Sequence, residues 1–358
     1  MTIGIKVLQD KGRDVRGLLK NMRIYEDKFL PLKEGKFIIF PMRKQPASLE
    51  RELKPITKDF WFGEFEFREN SRTRSFRREL QKILPIDLYN DAARAYEQIG
   101  DVGIITIFPD MEPYEEKIAL ALKETNKGIR IVIKKVSKHE GKNRIQGYKT
   151  LTGEGTTETT HIENGVQIKV DVAKVYYSSR TINERKRVAA LVKSPEDILV
   201  LFAGCSPFPL VLSKNTPANN IVAIELSEDA HNYAKENIKL NNFNNIQLIH
   251  GDVREELKLL TQKFDRIIMP HPTEADYYLK DALYSLKKKG VVHMYLFSKP
   301  EKIDFVETKI QSICEKMKFF IKKIEVIEQM HISSEVTKYC FDIHLIKKKE
   351  QNEKMPMV

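Results

Sequence analysis

The chain has 358 residues, 41% hydrophobic and 31% charged, with a formal net charge of +11 and an isoelectric point of about 9.2. No apolar run approaches the ~20 residues of a membrane helix, Met1 to Lys6 carries no secretory apolar core, and Cys205, Cys314 and Cys340 are widely separated with no C-x-x-C. A membrane span, a disulfide framework and a cysteine zinc site are excluded, so the expected setting is the reducing cytoplasm; the positive charge admits a polyanionic partner without naming one.

In chain order, residues 1–60 read as a small α/β module. Ile3 to Leu8 alternates as a strand, and Arg13 to Arg23 carries Val15, Leu18, Leu19 and Met22 at helical spacing. Lys36 to Pro41 is a second strand. Lys11, Arg13, Arg16, Lys20 and Arg23 surround the helix, and a solvated face and an RNA contact are equally good readings of them. Residues 61–165 form a second α/β or α+β domain. It opens on the aromatic stretch Asp59 to Arg68, read as core ahead of base stacking. The basic run from Arg72 to Leu80, a strand from Val102, a helix over Tyr114 to Thr125 and a strand from Ile129 follow. Gly141 to Lys149 is basic and broken by glycine. Asn164-Gly165 is a hairpin turn signal, and Val166 to Val172 is the returning strand. A third domain runs from 166 to 347, and 348–358 is a polar tail.

The third domain is organised around Asp197 to Leu210. Five apolar residues, Ile198 to Phe202, end in Ala203-Gly204-Cys205-Ser206-Pro207. That pattern is a buried parallel strand followed by a small-residue turn. A second apolar strand ends in Glu225, and Ser227 caps the helix behind it. Strand, turn, crossover, strand and terminal acid make a nucleotide-binding unit, with the acid placed for ribose hydroxyls. The turn has one glycine where a dinucleotide fingerprint has three, and Pro207 removes an N–H donor that a phosphate would use. S-adenosylmethionine (SAM), which has no phosphate, suits it better. Asp252 ends another short strand and is placed near adenine. Phe264 to Pro270 is a further buried strand with His271-Pro272 beyond it. Gly290 to Phe297, Phe305 to Lys318 and Cys340 to Ile346 read as strand, helix and closing strand.

Asp171-Val-Ala-Lys-Val-Tyr-Tyr-Ser-Ser-Arg-Thr-Ile-Asn-Glu-Arg185, with Phe202-Ala-Gly204, Pro207-Phe208, Gly251 to Glu255 and Gly290 to His293, resembles the archaeal and eukaryotic type of tRNA (guanine-37 N1)-methyltransferase. The resemblance covers nearly the whole chain. It implies a class I, Rossmann-like catalytic domain that holds SAM, and two smaller N-terminal domains that hold the outer corner and anticodon arm of tRNA. A monomer, no membrane contact and no metal site are separate expectations, and the sequence leaves oligomeric state and any need for a divalent ion open. Glu184 matches the family's general base, and burial is expected to raise its pKa for that task. An ion pair of Glu184 with Arg180 or Arg187 is the bland alternative. Tyr176, Arg180 and Arg185 match positions around the base and the RNA. Phe202, Gly204, Glu225, Asp252 and Pro272 match the SAM pocket. The family's Asn-Leu-Pro is Pro270-His271-Pro272 here, which leaves His271 as an extra polar contact. The family's catalytic arginine falls at Arg144 or Gln146, and the chemistry favours Arg144. The family's second turn glycine is Ser206. Methylation of guanine N1 leads; carbon-7 methylation of the wyosine precursor, aminocarboxypropyl transfer and a tRNA-binding homologue without activity are the alternatives.

Overall fold

The computed structural model describes residues 1–68, 76–85, 88, 96–136, 147–273, 275–333 and 335–348. They fall into two compact units, Met1–Ala93 and Arg94–Val358.

In the first unit β1 (Thr2–Leu8) lies between β3 (Phe37–Pro41) and β4 (Phe60–Phe65), and β2 (Leu32–Glu34) flanks β3, all antiparallel. The helix α1 (Gly12–Asn21) drops Val15 and Leu19 onto this sheet beside Ile5, Val7 and Phe40, and α2 (Leu49–Leu53) adds Leu49 and Leu53. The basic residues Arg13, Arg16, Lys20 and Arg23 stay exposed, as the amphipathic pattern requires. Strand β4 pairs with β1 along its length, so the expected boundary at residue 60 falls inside the sheet. Its aromatics alternate: Phe60 and Phe62 pack against the core, whereas Trp61 is 50% exposed and meets Phe37 edge-on at 5.4 Å. A helix α3 (Phe76–Ile83) buries Phe76 and Leu80. Most of the basic run before it lies outside the described residues.

The second unit opens with the sheet β5-β6-β7-β8, made of β5 (Tyr96–Ile99), β6 (Val102–Ile105), β7 (Ile131–Lys135) and β8 (Tyr148–Gly153). The helix α4 (Glu115–Thr125) joins β6 to its parallel neighbour β7. A hairpin follows, β9 (Glu158–Glu163) and β10 (Val166–Asp171), turning at Asn164-Gly165 with φ of 44° and 81°. Both turn residues need positive φ, which is why Asn-Gly sits there. The boundary expected at 165 divides this hairpin. One buried cluster joins Ile99, Val102, Ile131 and Ile133 to Val166, Ile168, Val170 and Val200, so these parts share a core.

After the helix α5 (Ile182–Leu191), a seven-stranded sheet runs β13-β12-β11-β14-β15-β17-β16. Its members are β11 (Asp197–Leu201), β12 (Asn220–Glu225), β13 (Ile246–His250), β14 (Phe264–Met269), β15 (Leu286–Ser298), β16 (Phe319–His331) and β17 (Thr337–Lys347). The pairs among the first five are parallel, and β17 runs antiparallel to both its neighbours. Helices α6 (Pro207–Asn215), α7 (Glu228–Leu240), α8 (Val253–Leu259) and α9 (Ala275–Tyr284) make the crossovers, and α10 (Ile303–Lys316) precedes β16. Strand order reverses at β11, between β12 and β14, so the crevice for a ligand opens above its carboxyl end. Buried Asn237 of α7 donates to the carbonyls of Lys169 (3.0 Å) and Cys205 (3.1 Å), tying β10 and the turn after β11 to one helix.

Candidate active site

Strand β11 delivers Phe202 into the crevice, and the backbone then winds tightly. Phe202, Gly204 and Ser206 have φ of 54°, 59° and 67°. A left-handed conformation is costly for a residue with a side chain, by about 1–3 kcal/mol each when strained. Two of the three are such residues. A Cβ at Gly204 would meet nothing nearer than the Tyr176 carbonyl at 3.9 Å, so the handedness of the turn, not crowding, favours glycine there. The turn aims the Gly204 N–H at Glu225, which accepts it at 2.7 Å through Oε2, while Oε1 accepts the Ser227 N–H at 2.7 Å. Burial raises the pKa of this carboxyl, against the pull of those N–H groups. Each oxygen keeps a further lone pair for a ligand hydroxyl. Asp252 caps α8 by accepting the Arg254 N–H at 2.8 Å. Phe202 packs edge-on to Tyr278 at 4.9 Å and against His271 at 5.2 Å, and the Arg254 guanidinium covers Tyr278 at 4.7 Å. Two carboxylates, an aromatic wall and one turn without a phosphate cradle fit a nucleoside bearing hydroxyl and amino groups.

The opposite end is built from α5 and the antiparallel side of the sheet. Glu184 is 5% exposed. Its Oε1 accepts the Tyr295 hydroxyl at 2.6 Å, and Arg187, one turn along the helix, donates to both its oxygens at 2.7 Å. Burial alone would raise the Glu184 pKa, but Arg187 and Tyr295 outweigh it, and the carboxyl titrates below its ordinary value. The expectation of a raised pKa is therefore corrected, because the bland alternative of an Arg187 pair is present. The Lys338 ammonium lies 5.0 Å from the Tyr295 ring centre.

Both ends open into one cavity of about 450 Å³, within the usual range for ligand pockets. Of the expected residues, Tyr176, Glu184, Phe202, Gly204, Glu225, Asp252 and His271 line it together, and Pro270 joins them. Pro272 does not; it is buried, and its carbonyl accepts the Phe297 N–H. Arg180 is exposed on the short turn Ser179–Thr181 and is not itself part of the lining, although Ser178 and Thr181 on either side are. Arg185 reaches the wall but is 2% exposed, and its guanidinium is spent on Glu163 and on the Ser178 carbonyl, so it is a structural ion pair and not a free contact for RNA. Arg144 and Gln146 lie outside the described residues. Sequence reasoning missed Tyr278, Tyr295 and Lys338, which come from strands and helices far along the chain. The Tyr176 to Glu184 stretch is contiguous in sequence but anchored from a distance: Glu97 of β5, 82 residues before Ser179, accepts the Ser179 N–H (3.0 Å) and hydroxyl (2.7 Å).

His293, Cys340 and Asp342 bring potential ligand atoms within 4.8 Å of one another. Arg266 donates to His293 Nε2 at 2.6 Å, and Arg187 donates to Asp342 at 2.6 Å. Two arginines thus occupy the lone pairs that a metal ion would need, and their charge opposes one.

Comparison with known proteins agrees with this geometry. The TRM5/TYW2 methyltransferase domain matches residues 159–326, and the TYW2 N-terminal domain matches residues 76–156. The tRNA (guanine(37)-N(1))-methyltransferase Trm5b of Pyrococcus abyssi is 34% identical over 297 residues, 83% of this chain and 84% of that protein. The chain belongs to the TRM5/TYW2 methyltransferase family. The crystal structure of Trm5b from P. abyssi superposes with a TM-score of 0.72 over 97% of this chain and all of that one, at 30% identity. The structure of TYW2 from M. jannaschii in complex with AdoMet gives 0.56 at 27% identity, covering 70% of this chain and 99% of that one. The tRNA(Phe) (4-demethylwyosine(37)-C(7)) aminocarboxypropyltransferase of Methanocaldococcus jannaschii is 34% identical over 64% of this chain and 86% of its own. The TRM5/TYW2 family thus holds relatives named for methyl transfer and for aminocarboxypropyl transfer at position 37. The match to Trm5b spans more of the chain, because it continues into the first unit.

Proposed function

We propose that this protein transfers the methyl group of SAM to N1 of guanine 37 in tRNA. The observation that supports the reading is the single cavity, which joins a nucleoside-binding end at Glu225 and Asp252 to a proton-accepting end at Glu184. SAM supplies an electrophilic methyl on a cationic sulfur. The rest falls to this chain. Glu225 holds ribose hydroxyls, Asp252 takes the adenine end, and Phe202 and Tyr278 wall the ligand. Guanine N1–H is a weak acid, and its proton must leave as the N1–carbon bond forms and the sulfur–carbon bond breaks. Glu184 accepts that proton. Its ion pair with Arg187 keeps it ionised at neutral pH, the state in which a carboxylate serves as base. Arg144 is the proposed cation for charge developing on guanine O6, and Tyr176, Arg180 and His271 the proposed contacts to the base and its neighbours. The first unit, with its exposed arginines and lysines, is proposed to hold tRNA.

Pro270 favours a second reading. It lines the cavity where the family carries an amide side chain, so the group that would orient guanine is replaced by an apolar ring. That suits the larger tricyclic wyosine precursor, with carbon 7 as the target. Incubation with methyl-labelled SAM and tRNA transcripts that differ only at position 37, guanosine or adenosine, tests the main reading. Labelled 1-methylguanosine from the guanosine transcript alone is expected. No label in either, with label in tRNA carrying the precursor, would replace it by the second.

A further inference from the structure

Behind Glu184 a chain of buried and half-buried groups crosses the sheet. Arg187 donates to Glu184 with Nε and Nη2, and to Asp342 with Nη1 (2.6 Å) and Nη2 (3.2 Å). Asp342 Oδ1 lies 2.5 Å from His293 Nδ1, and His293 Nε2 lies 2.6 Å from Arg266 Nη1. Arg266 in turn pairs with Glu196 at 2.7 and 3.1 Å. Arginine only donates, so His293 Nε2 is an acceptor and carries no proton. The remaining ring proton is on Nδ1, and it is donated to Asp342. His293 is therefore a neutral imidazole in one fixed tautomer. Asp342 and His293 are 1% and 0% exposed. Buried members such as these are costly unless each is satisfied, and here each is, between a half-buried Arg187 at one end and a half-buried Glu196 at the other.

The consequence falls on the base. A guanidinium given wholly to Glu184 would hold its proton affinity low. Here it is divided between two carboxylates, and the second is anchored by a neutral histidine that adds no positive charge. We infer that Asp342, positioned by His293 and Arg266, acts through Arg187 to keep Glu184 basic enough to take a proton while it remains ionised. These are positioning residues, and the inference rests on Glu184 being the base. The other groups facing Glu184 are the Tyr295 hydroxyl from β15, Gln329 from β16, and Cys340 and Asp342 from β17, with Lys338 beyond the Tyr295 ring. Burial lowers the His293 pKa, in keeping with its neutral form, and the His293 and Arg187 bonds hold Asp342 well below the usual carboxylate range despite its burial.

The test is single-turnover methylation of guanosine-37 transcript from pH 5 to 8.5, with SAM affinity and thermal unfolding read on every variant. Wild type should show no acid limb in this range, because Glu184 titrates below it. Arg187→Gln removes the opposing cation and leaves burial dominant, so an acid limb should enter the range, at least about one pH unit above the wild-type position. Asp342→Asn works the other way. It frees Arg187 for Glu184 and removes a neighbouring negative charge, so the plateau rate should fall without a new limb. Its effect should largely vanish in the Arg187→Gln background, since it acts through Arg187. If Arg187→Gln does not fold, the Arg187→Gln/Asp342→Asn pair removes one charge of each sign and should show the same new limb. A profile that stays flat to pH 5 in a folded, SAM-binding variant lacking Arg187 overturns the inference, as does an Asp342→Asn effect equally large with Arg187 absent. Failure of the base assignment is distinct: Glu184→Gln would then methylate at the wild-type rate.

Discussion

The two ends of the cavity are built by different means. The nucleoside end is made of strand ends and the turns that follow them. Glu225 is fixed by N–H groups 21 residues before it and two after it, and Asp252 by one two residues on. The Glu184 end, the proposed proton acceptor, is made of side chains brought together across the sheet. Tyr295 lies 111 residues from Glu184, and Asp342 lies 155 residues from Arg187. Backbone turns set positions that a local pattern encodes, whereas side-chain partnerships depend on sheet order. The first end should therefore bind its ligand with the second disabled, and the proton chemistry should fail without loss of binding.

The strongest way to break that separation is to remove what supports both ends. Buried Glu163 holds Arg185 through two bonds and accepts the Tyr177 hydroxyl at 2.7 Å. Arg185→Met leaves Glu163 buried without its cation, and such a loss costs about 3–5 kcal/mol. Denaturant unfolding should show that loss, and SAM affinity and turnover should fall together; an unchanged unfolding midpoint would contradict this. A smaller change sharpens the contrast. Glu225→Ala removes charged hydrogen bonds worth about 1.5–3 kcal/mol, so SAM affinity measured by calorimetry should weaken by roughly one to two orders of magnitude. The single-turnover rate at saturating SAM should stay near wild type.

The smallest effect is on pH and stability. His293 is buried and neutral, with its folded pKa lowered. The unfolded chain takes up that proton below its ordinary value of about 6.5, so this contribution is complete above pH 6.5 and is lost as pH falls below it. The melting temperature should decline between pH 7 and 5 in wild type, and less steeply in His293→Asn. An equal slope in both would remove His293 from the account.

The legibility of the sequence follows the same division. The hairpin at Asn164-Gly165, the strand and turn from Ile198 to Pro207, and the acid at Glu225 are local patterns, and each forms as expected. Arg185 misled because its run, Ser-Ser-Arg-Thr-Ile-Asn-Glu-Arg, has the composition of a solvated helix start. Its burial is settled by Glu163, 22 residues earlier on strand β9. Glu184 misled about its pKa because burial is opposed by Tyr295 and Arg187 together. Strand β16 was not foreseen at all. Two register shifts, at Ile321/Lys323 and Glu328/Met330, interrupt its alternation, and a bulged edge strand loses the period of two on which recognition depends.

The central claim is that Glu184 takes the proton and does not hold the cofactor. Glu184→Gln, assayed in one preparation for SAM affinity and for single-turnover formation of 1-methylguanosine, tests it directly. The account predicts unchanged affinity and a rate lower by about 10²–10⁴-fold, the usual worth of a positioned base. A rate near wild type, or a loss explained wholly by weaker SAM binding, would contradict it.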